Sequence, residues 1–176
     1  MKLKLIRWFW CLTSIVLAEI LSAQTPSEEF SVLKEKYPDQ NEVTTDRWRK
    51  LNIIVKGDSL EIIQEEYEEV LILNNPLQNS KGRVYSSSLT EVFDIKAYTL
   101  IPGKKKYKKI DVKDFKKSFD RDSYVFYDDT EWINFNFPQI TEGAKVVKHF
   151  KRRIKDPHII GQYFFRPTSQ LLNQIL

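Results

Sequence analysis

Few residues in this 176-residue chain are equipped for chemistry. The densest group lies in TLIPGKKKYKKIDVKDF, where Lys104, Lys105, Lys106, Lys108 and Lys109 surround Tyr107 directly after Pro102-Gly103. Five ammonium groups this close can grip a polyanion, or they can keep an exposed strand soluble and unpaired at its edge. A second basic run, KHFKRRIKD, carries Arg152 and Arg153 and could add to the first if the fold brings them together. His149 and His158 are the only histidines, too few for a three-ligand catalytic zinc site without carboxylate help. His149 shares its strand face with Lys151 and Arg153, a face that reads as exposed. Asp120, Asp122, Asp128, Asp129 and Glu131 gather in FDRDSYVFYDDTEW. A calcium loop opening at Asp120 would need glycine where Val125 stands and an oxygen where Tyr124 stands, so these acids read as solvated turn carboxylates. Ser86-Ser87-Ser88 sits outside any G-x-S-x-G elbow. Trp132, opposite the apolar face of its strand, is the best candidate for stacking on a sugar. The inventory holds no nucleophile–base set, no metal set and no cofactor motif, and it predicts a protein that is not an enzyme and binds no cofactor.

The compartment decides how the lysines are read. Residues 1–23, MKLKLIRWFWCLTSIVLAEILSA, place Lys2, Lys4 and Arg7 before an apolar run from Trp8 to Leu17 and end on Ala23. This is the layout of a secretory signal peptide, and the run is shorter than the ~20 residues that span a bilayer. The expected mature chain begins at Gln24 and is exported to the periplasm or beyond, with no stable membrane span. Export removes Cys11, so disulfides and thiolate chemistry leave with the leader. It also takes Lys2, Lys4 and Arg7 from 28 basic residues and Glu19 from 24 acidic ones, lowering the formal charge from +4 to +2. So small a surplus, with Tyr107 the lone stacking candidate in the cluster, argues against a nucleic-acid partner. The leader itself rules out nuclear localisation.

The remaining 24–176 fit a single domain. TPSEEFSVLKEKYP predicts a helix capped by Thr25, with Pro26 at its first position and Phe30, Leu33 and Tyr37 on one face. After Pro38 the apolar period falls to two. Leu51, Ile53 and Val55 alternate with polar neighbours before a Gly57-Asp58 turn. Phe93, Ile95, Ala97, Thr99 and Ile101 alternate next, then Ile133, Phe135 and Phe137, then Ala144, Val146, Lys148 and Phe150. Residues 60–73, LEIIQEEYEEVLIL, suit helix by composition, and period two does not separate their apolar from their polar residues. The turn before them favours a strand that pairs back on Leu51–Val55. Trp48, Trp132, Phe135, Phe137, Phe150, Tyr163, Phe164 and Phe165 read mostly as core. The prediction is an all-β, antiparallel β-sandwich with a short N-terminal helix after the signal peptide.

Four stretches taken in order carry a resemblance: FSVLKEKYPDQNEV, VFDIKAYTLIPGKKKYKKI, INFNFPQITEGAKVV and KDPHIIGQYFF. Together, over roughly residues 28–166, they resemble a bacterial domain of unknown function found N-terminal to transglutaminase-like, papain-fold domains in envelope proteins. The resemblance implies a secreted β-sandwich and a place beside a transglutaminase-like domain in the same or a partner chain. It implies no catalytic residues here, since the chemistry belongs to the following domain. It also implies a longer domain than one that stops at Leu176. The expected function is therefore a non-catalytic structural or interaction module. The alternative is a carbohydrate- or peptidoglycan-binding module that uses Trp132 and the five lysines on envelope polysaccharide.

Overall fold

The computed structural model describes residues 26–119 and 130–160. Residues 1–23, expected to be a signal peptide, Asp120, Asp122, Asp128 and Asp129, and the aromatics Tyr163, Phe164 and Phe165 lie outside the described residues.

Helix α1 spans Pro26–Lys36, with Glu28 and Glu29 in its first turn and Lys34 and Lys36 in its last, each suited to the helix dipole. Eight strands follow: β1 (Glu42–Lys56), β2 (Ser59–Ile72), β3 (Lys81–Ser86), β4 (Thr90–Ile101), β5 (Lys108–Asp111), β6 (Phe115–Phe119), β7 (Glu131–Asn136) and β8 (Lys145–Ile154). They form a five-stranded sheet ordered β1-β2-β8-β4-β5 and a three-stranded sheet ordered β3-β7-β6. All pairings are antiparallel. The protein is an antiparallel β-sandwich with a short N-terminal helix, as the alternation predicts.

The core forms where the inner faces of the two sheets meet. Val70 and Ile72 of β2, Ala97 of β4, and Val146 and Phe150 of β8 pack against Val84 of β3 and Phe135 and Phe137 of the β7 segment. Each such side chain contributes about 1.5–3 kcal/mol when fully buried. Within the three-stranded sheet, Gly82 of β3 leaves room for the ring of its cross-strand partner Phe135 of β7. A Cβ built there would lie 2.2 Å from Cε2 of Phe135. On the outer face of the large sheet, Leu33 of α1 packs with Val43, Leu71 and Leu73, with Phe30 and Tyr37 alongside. The predicted helix face is therefore the one that is buried.

Residues 60–73 are strand. β2 pairs with β1 from Ser59 to Ile72, and the turn at Gly57-Asp58 has φ +60° at its glycine. Positive φ at the first turn residue fits a type II′ hairpin, whose twist matches the strands it joins. Period two fails here because β2 carries charge on both faces. Glu66 and Glu68 point between the sheets towards Arg49 and Lys148, while Glu65 and Glu69 meet His149 and Lys145 outside.

Two alternation readings need correction. In β4, Asp94 has φ 51° and the register against β8 shifts between Phe93 and Lys96. This bulge puts Val92, Ile95 and Ala97 on the core side and turns Phe93 outwards, under the guanidinium of Arg153 at 5.2 Å. In β1, Leu51, Ile53 and Val55 alternate, yet all three are exposed. Leu51 and Ile53 lie on edge strand β1 opposite Gln64 and Ile62, while Val55 lies beyond Ile62, where β8 ends and the hairpin has no third strand beside it.

Candidate interaction surfaces

The lysine cluster forms the β4–β5 connection and the edge of the large sheet. Lys104, Lys105 and Lys106 lie in the bend, Lys108 and Lys109 in β5, and all five are exposed. Lys109 Nζ pairs with Asp111 at 2.7 Å and sits 4.3 Å from the Tyr98 ring. A four-residue, lysine-lined edge strand presents little template for another chain. Tyr107 turns inwards. Its hydroxyl donates to Glu29 at 3.3 Å, and Lys145 Nζ lies 5.2 Å from its ring, so it is not a free stacking surface. Burial, followed by the charge of Glu29, pushes its phenol up. Arg152 and Arg153 pair with Val92 and Glu91 near the start of β4, whereas the lysines follow Ile101 at its end. At ~3.3 Å per residue that separation is about 30 Å, so the two basic runs do not merge.

Trp132 faces away from the core but does not present an open ring. The Arg83 guanidinium lies 4.5 Å from the ring centroid, and Tyr85 meets it edge-on at 5.6 Å. Its indole nitrogen is buried without a hydrogen-bond partner among the described residues. Trp132 belongs to the three-stranded sheet and the five lysines to the edge of the other, so the fold does not assemble them into one site.

The exposed tryptophan is Trp48, read from sequence as core. It is 39% exposed on the outer face of edge strand β1. It stacks on Tyr67, its cross-strand partner, with centroids 5.4 Å apart and planes 6° from parallel. His149 stands edge-on to both rings and bonds Glu65 at 2.7 Å, so it is paired and half-buried where an exposed position was expected. The register Trp48–Tyr67–His149 across three strands creates this ladder, and no spacing within any one strand reveals it.

A buried ion cluster fastens the helix to this face. Lys145 Nζ donates to Glu29 of α1 at 2.8 Å and to Glu69 of β2 at 2.9 Å. Thr45 also donates to Glu69, at 2.8 Å, and Tyr67 does so at 3.1 Å. Burial opposes ionisation of Glu69, but the bonds from Lys145 and Thr45 outweigh it and hold the carboxyl below its ordinary value.

Among the described residues, the overhanging end of the β1–β2 hairpin gathers several exposed apolar side chains. Val55 is 70% exposed, Ile53 54%, Leu60 50% and Ile54 47%. Lys56 and Glu61 pair across the hairpin end. Ile53 and Ile54 alternate across the strand, so both faces of the overhang are apolar. Among the described residues no group of three His, Cys, Asp or Glu is placed to hold a metal, and no helix is long and apolar enough to cross a membrane. The serine run serves a turn: Ser86 and Ser87 bond Thr90, and the Val92 amide donates to Ser86.

No protein-family model and no curated protein matches the sequence. One solved structure, from Parabacteroides distasonis and described as a "putative protease", is similar in fold. The superposition has a TM-score of 0.53 at 11% identity and covers 65% of this chain. It takes in only 23% of that protein's length. At this identity the likeness shows the fold alone.

Proposed function

We propose that this protein is an exported, non-catalytic β-sandwich module that docks a transglutaminase-like domain of the same chain or of a partner. The overhanging hairpin carries the reading. Ile53, Ile54, Val55 and Leu60 leave apolar area in water on a two-stranded arm, the kind of surface that marks an interaction site. The fold likeness supports it, because there the same architecture forms a small part of a chain described as a "putative protease". The test is binding of the purified protein to a transglutaminase-like domain encoded with it, measured by calorimetry. The double variant Ile53→Ser/Val55→Ser should keep its melting temperature and lose most of the affinity. Equal binding by the variant would remove the hairpin from the interface, and no binding by either protein would remove the docking role. Purified protein should show no peptidase or transglutaminase activity of its own.

One observation favours the second reading, binding of envelope polysaccharide. Trp48 presents an exposed ring backed by Tyr67 and flanked by His149 and Glu65. Retention on peptidoglycan that is lost in Trp48→Ala would establish it in place of the first.

A further inference from the structure

The inner face of a β-sandwich is expected to be apolar, yet here one end of it is ionic. Arg47 and Arg49 of β1, Glu66 and Glu68 of β2, and Lys148 and Arg152 of β8 line a cavity of about 120 Å³. Val84 of the opposite sheet and Phe150 of the core close its apolar side. With Arg83 of β3, whose guanidinium lies 4.5 Å from the Trp132 ring, five cations line the cavity beside two carboxylates. Arg49 Nη2 donates to Glu66 at 2.9 Å and Lys148 Nζ pairs with Glu68 at 2.6 Å. Those two contacts have normal charge-assisted lengths. The other two do not. Arg152 lies 3.6 Å from Glu66 and Arg47 3.7 Å from Glu68, beyond hydrogen-bond reach. Arg152 Nε is also buried, with no acceptor among the described residues. Its planar face lies 5.5 Å from the Phe150 ring, which fixes its orientation without supplying an acceptor.

Partly desolvated guanidinium groups need acceptors as well as countercharge, because an unmade hydrogen bond from a buried charged donor is costly. Glu42 is the third carboxylate nearby, beside Glu68 and Lys148. Burial first, and Glu68 second, push its carboxyl above its ordinary value, which makes it a poor counter-ion. The cavity has room for several water-sized groups. A guanidinium fork matches the paired oxygens of a planar or tetrahedral oxyanion.

We propose that this inter-sheet cavity is a binding site for one small oxyanion group, a phosphate or a carboxylate, held by Arg152 and Arg47 with Lys148 supplying further positive charge. The site is independent of the hairpin surface and would stand if the docking role failed. It differs from the exposed lysines in being partly sheltered between the sheets, with Arg152 20% exposed, so its affinity should be less sensitive to salt than surface attraction.

The experiment is a thermal melt of the purified protein titrated separately with inorganic phosphate and with acetate, ionic strength held constant with sodium chloride. Three proteins are compared: wild type, Arg152→Gln, and Lys105→Gln as a control with the same loss of charge at an exposed position. The expected result is a saturable rise in Tm with one of the two anions for wild type and control. Half-saturation should weaken about tenfold or more in Arg152→Gln, the usual cost of losing a charged hydrogen bond. A rise with phosphate alone identifies a phosphate site, and a rise with acetate alone a carboxylate site. No rise with either anion, or equal rises in all three proteins, overturns the proposal. Should Arg152→Gln not fold, Arg152→Lys replaces it, and the guanidinium N–H resonances of wild type are followed by NMR during the titration. Resonances that do not move also overturn it.

Discussion

The ammonium of Lys145 lies 2.8 Å from a carboxylate oxygen of Glu29, across the joint between helix α1 and the central strand β8. With Glu69 on its other side, Lys145 is only 10% exposed. Lys145→Ala would leave Glu69 part-buried without its main partner. The expected loss is about 2 kcal/mol in a urea titration, short of the ~3–5 kcal/mol for a fully buried pair because both glutamates remain partly wet. The pH dependence follows from the same contacts. Glu69 is held below its ordinary value of 4.5, so its contribution is present above that pH and is lost as pH falls through the lower folded value. Burial opposes the charge on Lys145, but the bonds it donates to Glu29 and Glu69 outweigh burial and raise it above 10.5, so its contribution is lost only as pH rises through that higher value. Stability should hold a plateau between these limits, and the acid limb should become shallower in Lys145→Ala.

Glu42→Gln should act in the opposite direction. Burial raises the Glu42 carboxyl, so the folded state binds a proton more readily than the unfolded chain, and ionised Glu42 opposes folding at neutral pH. The amide removes that opposition. A Tm rise of about 2 °C at pH 7, fading towards pH 4, is expected for a change below 1 kcal/mol in a domain this size. A lower Tm at pH 7 would refute it.

Gly82→Ala tests the cross-strand packing inside the three-stranded sheet. Its methyl would meet the Phe135 ring, which is itself packed on Phe115 and Phe137 with centroids 5.3 Å away in each case. The ring has no free direction in which to yield. Overpacking of this kind costs about 1–3 kcal/mol, readable as a lower urea midpoint.

Replacing Lys104, Lys105 and Lys106 together with glutamine should move the melt by less than about 2 °C, since all three are exposed and outside the core. Wild type should not be retained on heparin at ~0.15 M salt, where exposed charges are screened within ~8 Å. Retention of wild type that the triple variant loses would make this bend a polyanion site.

The strands were legible because Phe135, Phe137, Val146 and Phe150 alternate against polar neighbours, and the helix because Pro26, Glu28 and the Phe30–Leu33–Tyr37 face mark it. The faces were less legible. The single bulge at Asp94 reverses the orientation of Phe93, and nothing local announces it. The hairpin overhang was hidden for a different reason. Leu51, Ile53 and Val55 look like core residues, but β1 is an edge strand and its hairpin runs on past the end of β8, both properties set by other parts of the chain. The ionic cavity has the same origin. Arg47, Arg49, Glu66, Glu68, Lys148 and Arg152 come from three strands and meet only through register. The one available signal was the failure of β2 to alternate, which reported charge on both of its faces.

β8 is the last described strand in sequence and the middle strand of its sheet, paired with β2 on one side and β4 on the other. A nascent chain emerging from a ribosome, or threaded through a narrow pore, therefore carries two separate pieces, the β1–β2 ribbon and the β4–β5 pair, with nothing yet to join them. Two-stranded pieces of this sort are marginal on their own. The domain must remain open until Ile154 has cleared, and it then closes by insertion of a single central strand. Such a chain is held pliable by its own topology until that strand is in place, and it becomes rigid only then.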